Sequence, residues 1–214
     1  MGFDKTVHSK PGFYAWKLSM IAGAKRVAYR ALFLDKHVGA QREELQRKNV
    51  EMLSRCLPGK KILEVGCGRG SFLQSLHTKY GCECTGVDIS AEMIGYAQEH
   101  HPGPRYLVVN GSKLPFRQDE FDFVIFCYVL HHVDDLPQMI EEAKRVGRNI
   151  LIYESCAFES QPWRWLSQMY WKAVDGGMWY HSADKWRSIF GIPVTEQILG
   201  HGLVRYGQIL FRRP

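Results

Sequence analysis

Seven consecutive residues, Glu64-Val65-Gly66-Cys67-Gly68-Arg69-Gly70, carry the sharpest chemical signal in this chain. Glycines at alternate positions let a backbone turn tightly and approach a ligand closely. The run closes a short apolar stretch, Lys61–Val65, and opens an amphipathic one, Ser71–Tyr80, with Phe72, Leu73 and Leu76 on one side. A strand therefore leads into a helix whose first N–H groups are free to meet a ligand. The spacing is GxGxG. The dinucleotide fingerprint, GxGxxG, would place a glycine at Ser71, so a pyrophosphate is not the expected ligand. A second carboxylate follows at Asp88, at the end of the apolar run Glu83–Val87. Helix capping does not account for it, because Ser90 supplies the cap for the helix carrying Met93, Ile94 and Ala97.

The elements that position these groups alternate. After Asp88 come strands at Arg105–Val109, Phe121–Tyr128 and Asn149–Tyr153, with a helix at Leu136–Val146. Phe121–Tyr128 is the most apolar and so central. Such alternation implies an α/β fold, a mostly parallel sheet with helices on both faces. Two further strands, Ile192–Leu199 and Leu203–Phe211, flank Gly200-His201-Gly202 and are expected to pair antiparallel. Residues 1–58 read as a helical basic arm and 59–214 as one domain. Within it, 156–190 is an aromatic insertion holding five of the six tryptophans. No internal repeat or low-complexity tract is visible.

Composition narrows the class. The chain has 214 residues, 45% hydrophobic and 23% charged, enough for one α/β domain with a core. No apolar run reaches the roughly 20 residues of a membrane span. The start has no secretory h-region, so a cytoplasmic protein is expected. Six scattered cysteines form no CxxC pair and no metal-ligand spacing, so they read as buried thiols and no metal is expected. The net charge of +6 is concentrated: residues 1–60 hold 12 Lys/Arg and 5 Asp/Glu, and the remainder 16 and 17. A basic arm suits anionic lipid, nucleic acid or an acidic substrate, or is simply a solvated face. Trp16, Met20 and Val27, with Lys17, Lys25, Arg26 and Arg30, make it amphipathic, suited to peripheral contact with a membrane surface or to closing over a site.

ILEVGCGRGSF resembles the first motif of class I S-adenosylmethionine-dependent methyltransferases. The resemblance implies a Rossmann-like, seven-stranded sheet with a reversed last strand. It implies that Gly66, Cys67, Gly68 and Gly70 wrap the amino-acid end of S-adenosyl-L-methionine, with Glu64 near its ammonium. Gly86-Val87-Asp88-Ile89-Ser90 resembles the second motif, in which the acid accepts from both ribose hydroxyls; two acceptor oxygens suit a diol. Ile89 and Met93 would then meet adenine. Asn110-Gly111-Ser112-Lys113-Leu114-Pro115-Phe116 is similar to the family's GDAxxLPF segment, with Asn110 where aspartate is usual. This segment looks like the small-molecule branch that includes the ubiquinone and menaquinone biosynthesis methyltransferases. Cys127 and Tyr128 fall beside the methionine part and the transferring methyl.

The family reaction needs alignment and exclusion of water, and a base where the acceptor is a hydroxyl or an ammonium. Candidate bases by position are His131, His132 and Glu154, with His181 in the aromatic insertion. Either histidine could instead be structural, and Glu154 could pair with a cation. Tyr14, Trp171, Trp179 and His181 are candidate substrate contacts. The insertion reads either as an apolar pocket for a small, lipophilic or aromatic acceptor or as a hydrophobic mini-core. RNA methylation through the basic arm is the alternative, although the Asn/Asp-Pro-Pro-aromatic and Pro-Cys signatures of base methylation are absent. A non-catalytic S-adenosylmethionine binder is the third reading.

Overall fold

The structure is a computed structural model that describes residues 59–109, 113–158, 160–175, 180–190, 195–199 and 206–212. The basic arm with Tyr14, the Asn110-Gly111-Ser112 segment and Trp179 lie outside the described residues.

Four strands pair in parallel around β1 (Lys61–Val65). It lies between β2 (Glu83–Asp88) and β4 (Phe121–Cys127). Outside these pair β3 (Arg105–Val108) on β2 and β5 (Gly147–Ser155) on β4, both parallel. The other edge of β5 pairs antiparallel with β7 (Tyr206–Arg212), which pairs antiparallel with β6 (Thr195–Leu199). The strand order is β3-β2-β1-β4-β5-β7-β6.

Side chains of a strand alternate between faces, and the core divides accordingly. Leu63, Val124, Phe126, Ile150 and Ile152 join one buried cluster. Ile62, Phe123, Ile125, Leu151 and Tyr153 join the other. Helix α1 (Ser71–Tyr80) covers the second face with Phe72, Leu73 and Leu76, and α2 (Ala91–His100) adds Ile94 and Ala97. Helix α3 (Leu136–Val146) covers the first face with Leu136, Met139, Ile140, Ala143 and Val146. Two more helices, α4 (Trp163–Asp175) and α5 (Ala183–Phe190), fall within the aromatic insertion. Among the described residues no helix is long and apolar enough to cross a membrane.

Some boundaries differ from the sequence reading. β4 ends at Cys127 because Tyr128 has a left-handed φ of 54°. β3 ends at Val108 rather than Val109. β5 is longer than Asn149–Tyr153, since Glu154 and Ser155 continue in register with Gly207 and Tyr206. The last two described strands cover Thr195–Leu199 and Tyr206–Arg212, and residues 200–205 lie outside the described residues.

The order also fixes where a ligand can sit. From β1 the chain steps outward through β2 to β3, then crosses back to place β4 on the other side of β1. Ligands of open parallel sheets bind beyond the carboxyl ends of the strands, where the order reverses. Here that crevice lies between Val65 and Phe126, which are in register.

Candidate cofactor and active site

The glycine loop is built for that crevice. Gly66, Gly68 and Gly70 all have left-handed φ, at 75°, 52° and 77°. The N–H groups of Gly66 and Cys67 both donate to Val87 O, at 2.8 and 3.0 Å, which ties the loop to β2. The outer glycines serve packing. A Cβ on Gly66 would lie 2.4 Å from Val129 Cγ2, and one on Gly70 would lie 2.6 Å from Tyr106 Oη. Gly68 differs, with no heavy atom within 4 Å of where its Cβ would stand.

Two carboxylates frame this opening. Glu64 is 2% exposed, and its Oε2 has no hydrogen-bond partner among the described residues. Burial raises its pKa well above the usual carboxylate range, the Cys127 thiol hydrogen bond opposes this, and the charge of Asp88 adds to it. A desolvated carboxyl with an unsatisfied oxygen is costly, and a cationic ligand would relieve it. Asp88 Oδ2 accepts from Gly68 N at 2.8 Å, and Oδ1 accepts from Ser90 N at 2.9 Å. A carboxylate has about four acceptor positions, so each oxygen keeps capacity for a ligand hydroxyl. Ser90 Oγ caps α2 by accepting from Met93 N at 3.3 Å, as its position implies.

Apolar groups flank Asp88. Ile89 is 37% exposed, and Met93 is half-buried. Val108, in register with Asp88, is 54% exposed and belongs to the same surface. Sequence reasoning did not single out Val108. Its signal was the apolar residue closing β3, which only the β2–β3 register brings beside Asp88. The thiols of Cys67 and Cys127 are pushed up chiefly by burial, with Glu64 adding to both, so neither is a thiolate nucleophile.

The candidate bases meet at the neighbouring strand ends. Leu130–His132 forms a 3₁₀ turn after β4. Glu154 Oε2 lies 2.6 Å from His131 Nδ1, and Glu154 Oε1 accepts from Leu130 N at 2.7 Å. Both side chains are fully buried. The His131 ring packs against His132, with centroids 4.2 Å apart, and stacks on Tyr180 at 5.2 Å. His132 is half-buried. Both oxygens of Glu154 therefore serve to fix the turn and the imidazole.

The insertion contributes on the same side. His181 O accepts from Ala157 N at 3.0 Å, and the His181 ring meets Trp186 edge-on at 4.9 Å. Burial lowers the His181 pKa first, and Lys185 adds to the effect against the pull of Glu154. Tyr180 and Trp186 are buried, and Trp186 joins the core over the first face. Part of the insertion is therefore hydrophobic core. Trp163 and Trp165 of α4 are exposed, and Trp171 lies in the same helix.

Residues 63–149 match a family described as a methyltransferase domain. The chain is 32% identical over 166 residues to malonyl-acyl-carrier-protein O-methyltransferase of Pectobacterium atrosepticum, covering 75% of this chain and 58% of that protein. It is 28% identical over 146 residues to demethylmenaquinone methyltransferase of Lysinibacillus sphaericus, covering 64% and 60%. The chain spans little more than half the length of curated relatives it matches. Among solved structures, magnesium protoporphyrin IX methyltransferase of Synechocystis with bound SAH superposes with a TM-score of 0.63 at 22% identity, covering 82% of this chain and 84% of that one. That likeness establishes the Rossmann-like fold.

Proposed function

We propose that this chain, whose residues 63–149 match a methyltransferase-domain family, is a class I S-adenosylmethionine-dependent methyltransferase that transfers the cofactor's methyl group to a small, lipophilic or aromatic acceptor. The observation that carries the reading is the buried Oε2 of Glu64, which has no hydrogen-bond partner among the described residues, set one strand away from Asp88 and the open space over Gly68. These groups fit a ligand with an ammonium at one end and a vicinal diol further along. Strand β7, reversed between β5 and β6, accords with the seven-stranded form of the fold.

Bound here, S-adenosylmethionine would supply an electrophilic methyl group on a sulfonium. The chain's own residues do the rest. Glu64 holds the ammonium, with Cys127 steadying its other side. Asp88 accepts from the ribose hydroxyls. Ile89, Met93 and Val108 pack the adenine, and Asn110, Gly111 and Ser112 complete its rim in this reading. Tyr128, in its left-handed conformation, turns the chain at the methyl end. Alignment and exclusion of water then lower the barrier.

The roles of the candidate bases separate. Glu154 is a positioning residue, because both its oxygens are engaged. With Nδ1 facing Glu154, His131 presents Nε2 as its other nitrogen, and the more exposed His132 is the group an incoming acceptor reaches first. The insertion 156–190, with His181, Trp171 and Trp179, and the arm 1–58, with Tyr14, are assigned to acceptor recognition. A small acceptor accords with a relative named for demethylmenaquinone.

The test is to incubate the full chain with methyl-labelled cofactor and separate metabolite and RNA extracts. Label is expected in a low-mass product identified by mass spectrometry. Label entering RNA alone would replace this reading with nucleic-acid methylation.

A further inference from the structure

A second concavity lies at the opposite edge of the sheet. Its lining includes Lys61, Arg105, Lys113, Arg117 and Arg145, around a cavity of about 700 Å³. Lys61 and Arg105 are the first residues of β1 and β3, and Glu120 immediately precedes β4. The cofactor groups sit beyond the carboxyl ends of the same strands. The five residues of β1 alone separate the two edges by about 16 Å.

This concentration of cations is not a consequence of overall charge, since residues 61–214 carry slightly more acids than bases. Two of the five cations are compensated: Lys61 lies 3.5 Å from Glu83, and Arg145 lies 2.7 Å from Glu142. Arg105, Lys113 and Arg117 are exposed and make no ion pair among the described residues. The one carboxylate in the lining, Glu120, accepts from Arg117 N at 2.7 Å. The cavity thus keeps an excess of positive charge.

Its wall is held firmly. Arg145 donates to Phe116 O at 2.8 Å, to Leu114 O at 2.9 Å and to both oxygens of Glu142 at 2.7 Å. Glu142 Oε2 in turn accepts from Leu114 N at 2.8 Å. Segment 114–116 is therefore fastened to α3, and the flanking Lys113 and Arg117 project from a fixed frame. Between them Pro115 is exposed, while Leu114 and Phe116 turn into the core beneath.

We propose that this cavity binds a phosphate-bearing small molecule, at a site separate from the methyl-transfer site. Arginine matches phosphate oxygens in a bidentate fork, and lysine adds a mobile point charge. The volume is that of a small-molecule site.

Inorganic tripolyphosphate is the probe, titrated by calorimetry into the full chain at physiological salt. Saturable binding of one anion per chain is expected. The doubly substituted Lys113→Ala/Arg117→Ala protein should lose about tenfold or more in affinity. Arg105→Ala should weaken it too, whereas Lys79→Ala, an exposed cation elsewhere, should not. S-adenosylhomocysteine should bind all four proteins alike, which also reports that they are folded. No binding at millimolar tripolyphosphate overturns the proposal, as does full affinity in the double variant. A short RNA that binds through Lys113 and Arg117 where tripolyphosphate does not would overturn it in favour of a nucleic-acid surface.

Discussion

Asp88 Oδ2 accepts a 2.8 Å hydrogen bond from the backbone N–H of Gly68, twenty residues earlier in the chain. One carboxylate thus joins the end of β2 to the middle of the glycine loop, while Oδ1 holds the start of α2 through Ser90. In the proposed site it also meets the ribose. Asp88→Ala removes the acceptor and loosens the loop. S-adenosylmethionine affinity should fall about 10- to 150-fold, corresponding to roughly 1.5–3 kcal/mol, in a protein that still folds. Calorimetry returning wild-type affinity would sink the assignment.

The three glycines should behave differently. Gly66→Ala drives a methyl group into Val129 and should lower thermal stability markedly. Gly68→Ala meets no neighbour and should lose only about 1–2 kcal/mol from its left-handed φ. Its methyl group nevertheless enters the space assigned to the cofactor. A folded Gly68→Ala protein should therefore bind S-adenosylmethionine at least tenfold more weakly. Thermal melts beside calorimetry separate the two effects, and a stable variant with normal binding would place the cofactor elsewhere.

Glu64 predicts a proton signature. Burial raises its pKa in the free protein, so the neutral carboxyl persists above the ordinary carboxylate range. An ammonium beside it favours the ionised form and lowers the pKa. Between the lowered bound value and the raised free value, binding therefore expels a proton, and affinity rises with pH. Calorimetry in buffers of different ionisation enthalpy should detect the release, and Glu64→Gln should abolish it. Uptake of a proton, or no exchange across that window, would remove Glu64 from the ammonium site. The same shift affects folding with the opposite slope. A raised carboxyl pKa stabilises the free protein at low pH, and that contribution fades as pH rises through the raised value.

His131 and Glu154 should show the energetics of a buried pair. Glu154→Ala strands His131 Nδ1 and the Leu130 N–H in a dry interior, and should cost about 2–5 kcal/mol of stability. His132→Ala should leave the melting temperature within a few degrees and lower kcat on a hydroxyl or amine acceptor. If His132→Ala retains full kcat while folded His131 variants lose it, the base is His131 instead.

Much of this was legible in the sequence because it depends on local pattern. The helices Ser71–Tyr80 and Leu136–Val146 fall at their expected bounds, since their apolar stripes and flanking signals agree. The GxGxG spacing points to a tight loop that approaches a ligand closely, and its three glycines are left-handed in the structure. What could not be read depends on register and on contacts distant in the chain. Val108 becomes part of the site only through pairing with Asp88. Glu154 looked like a base or the partner of a cation, and its true partners, His131 and a backbone N–H, lie more than twenty residues away. The cationic cavity draws on β1, β3, the segment before β4 and α3, so no single stretch of sequence displays it.

The most direct measurement is a competition titration of the full chain with S-adenosylmethionine and NAD. S-adenosylmethionine should bind saturably, one per chain. Millimolar NAD should neither bind measurably nor displace it, because GxGxG lacks the glycine at Ser71 that a pyrophosphate loop requires. Saturable NAD binding that competes at micromolar concentration, or no S-adenosylmethionine binding at all, would contradict assignment of the site to this cofactor.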